Sequence, residues 1–198
     1  MLYPLKFGDI YKEKVWGGRK MASVLGKDIS PLPDCGEDWV LSGLPGDESV
    51  VTNGFLAGNT LSELVEIYMD ELLGESLYDS YGEEFPLLCK FIDANDYLSV
   101  QVHPGDELAM ARGHARGKTE LWYVVQADPG ATLICGFNRP MNQATYLEYL
   151  NSGKLKDILN FVEVQTGDVF HMPAGRVHAL GPGILIAALL VGMVQIWC

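Results

Sequence analysis

The sequence predicts a mainly β protein, a single domain built as an antiparallel barrel or sandwich with a few short helices. Three observations carry this. From Phe85 onward, short apolar runs alternate with Gly, Pro, Asn or Asp, the rhythm of strands joined by turns. The 22 glycines and 10 prolines are spread along the chain rather than clustered, which calls for many turns. At 198 residues, with no repeat, low-complexity stretch or linker, the length suits one domain over 1–198 with a sizeable core.

Met1 to Asn53 reads as short extended pieces, punctuated by Trp16-Gly17-Gly18 and Pro31-Leu32-Pro33. A helical insertion is expected at about 60–80. Thr60 can cap, Glu63 follows three residues on as in a capping box, and Leu64, Tyr68 and Leu72 recur at helical spacing before Gly74. Strands are expected at Pro86 to Ile92, Leu98 to His103, Glu120 to Gln126, Thr132 to Cys135, Phe161 to Val164, Val169 to Met172 and Arg176 to Leu180. A second helix is expected from Ala144 to Leu150, ending near Gly153. Ile184 to Cys198 is almost wholly apolar, broken only by Gly192 and Gln195. At about 15 residues it falls short of the ~20 a membrane span needs, so one or two buried strands are expected there.

Composition narrows the function classes. A net charge of −12 repels nucleic acid and anionic membrane surfaces, so neither is an expected partner, and an anionic substrate would need a locally basic pocket. Cys35, Cys89, Cys135 and Cys198 contain no CxxC pair, which removes a cysteine zinc knuckle and a disulfide framework. The N-terminus carries no apolar run suited to a signal peptide, and the expected setting is the reducing cytoplasm.

Three segments carry chemistry. In Ser99-Val100-Gln101-Val102-His103-Pro104, residues two apart share a strand face, so Gln101 and His103 point the same way, with Pro104 ending the strand. A lone strand histidine is more often structural than a ligand. In Gly117-Lys118-Thr119-Glu120-Leu121-Trp122-Tyr123, Glu120 opens an otherwise apolar strand, where a carboxylate costs several kcal/mol unless it is paired or metal-bound. The plainer reading is a solvated strand-end glutamate. The third segment, Gly167 to His178, sets Pro173 six residues after Gly167, Gly175 two further and His178 three beyond. His171 and His114 read as a barrel-wall residue and a solvated loop residue.

This third segment resembles the second signature motif of the cupin superfamily at every fixed position. The resemblance implies a cupin-type (jelly-roll) antiparallel β-barrel, with a metal held by inward side chains of adjacent strands. His178 would complete a site to which Gln101, His103 and Glu120 contribute. Two imidazoles, a carboxylate and an amide oxygen suit one zinc ion, with cobalt, manganese or nickel as other occupants.

Taken with Val15 to Arg19 and Gly36 to Ser42, these segments make the chain similar to the short bacterial type I mannose-6-phosphate isomerases, from Phe7 to about Ala187. The family interconverts mannose 6-phosphate and fructose 6-phosphate on a bound zinc, through an enediol(ate) whose proton moves between C1 and C2. By position, Gln101, His103, Glu120 and His178 match its metal ligands and Lys118 matches an active-site lysine. Lys90, Arg112, Arg116, Lys118 and Arg176 are candidate partners for the substrate phosphate, although each of them but Arg176 reads more plainly as a solvated surface charge. Arg176, two residues before His178, is expected to share its strand face. Family members continue further, to an arginine thought essential, which no residue here matches. The 188–198 tail reads as a truncated or altered end, and impaired turnover is the expectation. The competing readings are a non-catalytic metal-binding cupin module that binds a sugar or sugar phosphate, and a metal-dependent oxygenase. Gln101 argues against the oxygenase by filling a position that an iron facial triad leaves open. Self-association into a homo-oligomer is allowed by this reading.

Overall fold

The apolar run that begins at Ile184 becomes the middle of the molecule. In the computed structural model, which describes residues 2–192, strand β9 (Ile184–Val191) lies between β3 (Leu87–Ala94) and β4 (Thr119–Ala127) and pairs antiparallel with both. Ile184, Leu185 and Ile186 are fully buried, which is why this segment shows no polar alternation. Each such side chain contributes roughly 1.5–3 kcal/mol of burial. The expected strand is therefore present as far as Val191, while the expectation for 193–198 lies outside the described residues.

Around β9 the larger sheet runs β1-β2-β3-β9-β4-β7, adding β1 (Ile10–Lys12), β2 (Glu37–Ser42) and β7 (Val169–Met172). A smaller sheet, β6-β5-β8, is made of β5 (Thr132–Phe137), β6 (Leu159–Glu163) and β8 (His178–Leu180). All pairings are antiparallel. The main core fills the space between the sheets, with Leu88, Trp122, Val124, Ile186 and Leu190 from one side against Leu133 and Leu180 from the other.

The helix expected from Thr60 is α2 (Leu61–Leu73), after a single turn α1 (Lys20–Ser23). Its capping box is complete: Thr60 Oγ1 accepts from the Glu63 N–H at 3.2 Å, and Glu63 Oε2 accepts from the Thr60 N–H at 2.7 Å. Further helices are α3 (Glu75–Tyr81), which buries no residue, α4 (Asp106–Ala111) and the expected α5 (Gln143–Asn151). No helix among the described residues is long and apolar enough to cross a membrane.

Two expectations need correction. Leu98 to His103 does not form a full strand. It runs beside β8, held by the Leu98 N–H on the Leu180 carbonyl (3.0 Å) and by a single bridge between Gln101 and His178. Strand β8 is only three residues long, so it offers few partners. For the same reason Arg176 lies in the turn before β8 and not on it.

Candidate metal and substrate site

Residues far apart in sequence meet at one mouth of the barrel, and the backbone explains how. The bridge is closed by Gln101 N–H to His178 O at 3.0 Å and His178 N–H to Gln101 O at 2.9 Å. The Gly175 N–H donates to the His103 carbonyl at 2.8 Å, tying the Pro173 turn to the same segment. From His103 the chain leaves through α4 and returns at Gly117. Its N–H reaches Asp106 Oδ1 at 2.7 Å, and the next N–H, of Lys118, reaches the Pro104 carbonyl at 3.1 Å. A Cβ on Gly117 would stand 2.6 Å from the Pro104 oxygen, so only glycine allows this closure. Lys118 and Glu120 are thereby delivered beside His103.

The side chains form a buried cluster. His103 Nε2 lies 2.9 Å from Glu120 Oε1, Lys118 Nζ lies 2.7 Å from the same oxygen, and the Trp122 indole N–H donates to Glu120 Oε2 at 2.6 Å. The His178 ring sits 4.7 Å from that of His103 and edge-on to Trp122 at 5.4 Å. Its Nδ1–H donates to the Arg176 carbonyl at 2.8 Å, while its buried Nε2 has no hydrogen-bond partner among the described residues. Such an orphaned acceptor needs a hydrogen-bond donor or a cation to offset its desolvation. One ligand atom each from His103, Glu120 and His178 fall within 4.8 Å of one another, a separation a single divalent ion can bridge. The backbone bond at Nδ1 is the outer-shell contact that presents Nε2 for coordination. Gln101 lines the adjoining cavity, and its amide makes no hydrogen bond among the described residues.

The electrostatics suit this set. Burial alone would raise the Glu120 carboxyl, but the His103 hydrogen bond and the Lys118 charge overcome it and hold the group well below the usual carboxylate range. Burial pushes the His178 imidazole down, only partly offset by its bond to Arg176, so it favours the neutral, ligand-competent form. Burial likewise lowers the Lys118 ammonium, against the pull of Glu120.

Two cavities adjoin the cluster. The smaller, about 260 Å³, is lined by Trp16, Ser99, Gln101 and Glu120, and the larger, about 790 Å³, by Trp39, Asp47, Glu83 and His114. Lys90 and Lys118 line both. Lys90 is thus a wall residue and not a surface charge. His114, expected in solvent, is half-buried in the larger cavity, and His171 points outward on β7. Arg176 faces neither cavity: its guanidinium donates to the His171 carbonyl at 2.9 Å, because its place in the turn aims it along the barrel's outside.

Sequence reasoning missed a second assembly on β2. The Trp39 indole N–H donates to Glu37 Oε2 at 2.7 Å, and Glu37 Oε1 pairs with Lys90 Nζ at 3.0 Å. Glu37 is buried, which raises its carboxyl, yet Lys90, Trp39 and Lys14 outweigh this and lower it. The signal was legible: Glu37-Asp38-Trp39 repeats the spacing of Glu120-Leu121-Trp122.

The phosphomannose isomerase type I catalytic domain matches residues 4–128. The mannose-6-phosphate isomerase of Streptococcus mutans is 39% identical over 94% of this chain and 57% of its own length. The mannose-6-phosphate isomerase ManA of Bacillus subtilis is 40% identical over 92% of this chain and 56% of its own. The crystal structure of the B. subtilis mannose 6-phosphate isomerase superposes with a TM-score of 0.86 at 33% identity, covering 95% of this chain and 58% of that one. The chain spans just over half the length of the curated relatives it matches. The shared architecture is the cupin-type antiparallel β fold.

Proposed function

Because this chain belongs to the type I phosphomannose isomerase family, we propose that it interconverts mannose 6-phosphate and fructose 6-phosphate with one bound zinc ion. The observation that carries this reading is the orphaned Nε2 of His178 beside the His103–Glu120 pair, next to a buried lysine and an open cavity. Gln101, His103, Glu120 and His178 would hold the zinc. The donor chemistry fits, with two imidazoles and a carboxylate converging and a free amide oxygen beside them. When bound, the metal supplies positive charge near the C1 and C2 oxygens, where negative charge develops.

The chain's own residues account for the rest. Lys118 Nζ, lowered by burial and facing both cavities, is our candidate to carry the proton between C2 and C1. Glu120 fixes that nitrogen in place at 2.7 Å. Lys90, with Lys14 beside it in the smaller cavity, offers the phosphate positive charge that Arg176 does not direct inward. In the larger cavity Asp47, Glu83 and Glu84 offer acceptors for sugar hydroxyls. The setting we propose for this chemistry is the reducing cytoplasm.

The test is a coupled assay on zinc-loaded 198-residue protein. Formation of fructose 6-phosphate from mannose 6-phosphate, but not of fructose from mannose, is expected. Retention of the sugar phosphate without any conversion would overturn the isomerase reading in favour of a binding module.

A further inference from the structure

Three tryptophans among the described residues sit at the site, and they differ in what the indole N–H does. Those of Trp39 and Trp122 donate to Glu37 and Glu120, at 2.7 and 2.6 Å. That of Trp16 donates to no protein group among the described residues, although the half-buried ring packs on the main core and lines the smaller cavity beside Gln101 and Glu120. A partly buried indole usually finds an acceptor for its N–H. The Ser99 hydroxyl and the Gln101 amide, on the same wall, are likewise without protein partners among these residues.

The ring's position is built into the backbone. A Cβ on Gly36 would stand 2.9 Å from Trp16 Cζ3, and a Cβ on Gly17 would stand 2.6 Å from the Gly36 nitrogen. Two chain segments therefore touch at van der Waals distance with the indole wedged against them. The Trp16 carbonyl accepts the Asn95 N–H at 2.9 Å, and the Gly17 N–H closes a turn onto Lys14 at 2.8 Å. The arrangement has little freedom and leaves one polar edge open.

We propose that Trp16 is a substrate-positioning residue. Its ring forms an apolar wall for the sugar carbons, and its N–H, a donor with no acceptor capacity, binds a sugar oxygen. This rests on the isomerase reading above and assigns a contact within it. Trp16→Phe keeps an aromatic wall and removes the donor, so affinity should fall about 3- to 10-fold, the range for one neutral hydrogen bond. Trp16→Ala removes both and should cost more.

The experiment titrates mannose 6-phosphate into zinc-loaded wild type, Trp16→Phe and Trp16→Ala by calorimetry, with zinc content and coupled-assay kinetics measured on the same samples. Val15→Ala serves as a neighbouring control, since Val15 is fully exposed. Weaker binding and raised KM in Trp16→Phe, with zinc content and kcat held, supports the proposal. Unchanged binding in Trp16→Phe overturns it while leaving the isomerase reading intact. Weaker binding accompanied by lost zinc, or by an equal loss of kcat at saturation, reduces the ring to a structural prop and also overturns it. A wild type that neither binds nor converts mannose 6-phosphate overturns the isomerase reading, and this assignment falls with it.

Discussion

In β2 and in β4 alike, a buried glutamate accepts the indole N–H of the tryptophan two residues on and pairs with a lysine. The strand geometry is common to both, since residues two apart share a face. What surrounds them differs. Glu120 also meets His103, with His178 close by, because the Gly117 closure and the Pro173 turn bring both histidines in. Glu37 meets no histidine, and its tryptophan instead lies under two ammonium groups, Lys12 at 4.9 Å and Lys90 at 5.7 Å. The same Glu-x-Trp pattern thus anchors a candidate metal centre on one strand and a cationic wall on the other. The chemistry belongs to what the loops deliver.

The largest expected effect tests the β4 side. His103→Ala/His178→Ala should reduce bound zinc from about one ion per chain to almost none, measured by elemental analysis after dialysis. A fully occupied double variant would remove the metal centre from the comparison. Next, Glu120→Gln should weaken zinc retention about tenfold or more, while Glu37→Gln should leave it unchanged. Equal zinc loss in the two would mean that the assemblies are not distinct.

Stability separates them less. Removing one partner of a buried ion pair costs roughly 3–5 kcal/mol, so Glu37→Ala should lower the unfolding free energy by that order in denaturant titration. Its pH dependence has a fixed sign. The Glu37 carboxyl is held below its ordinary value, so its stabilisation is fully present above the unfolded value of ~4.3 and is lost as pH falls through the folded value. The gap between wild type and Glu37→Gln should therefore be flat near neutrality and narrow on acidification below about pH 4.5. A gap that widens in acid would reverse the assignment. The smallest effect is Trp39→Phe, which removes one hydrogen bond to a charged group and should cost about 1.5–3 kcal/mol without changing zinc content.

Much of this architecture is legible in the order of the amino acids. The capping box at Thr60 and Glu63, the alternation through Glu120, Trp122 and Val124, and the Gly175 turn are set by neighbours a few residues away. Local periodicity reports such features directly. Lys90 is not legible as a wall residue, because its surroundings come from other strands. It pairs across the sheet with Trp39 on one side and with Ala188 of β9 on the other, in a row that continues to Trp122. The expectation for Arg176 fails for a related reason, since it extends strand alternation to a residue two positions before His178, where β8 begins.

By itself, then, the sequence determined the strand-rich class, the capped helix and the alternation of β4 that buries Glu120, all consequences of backbone geometry over a few residues. Only the tertiary structure decided which glutamate would receive histidines, which lysines would face the cavities and which tryptophan would find no acceptor for its N–H among the described residues. Those outcomes depend on β9 threading between β3 and β4 and on loops closing over tens of residues, where no local periodicity records who the neighbours are.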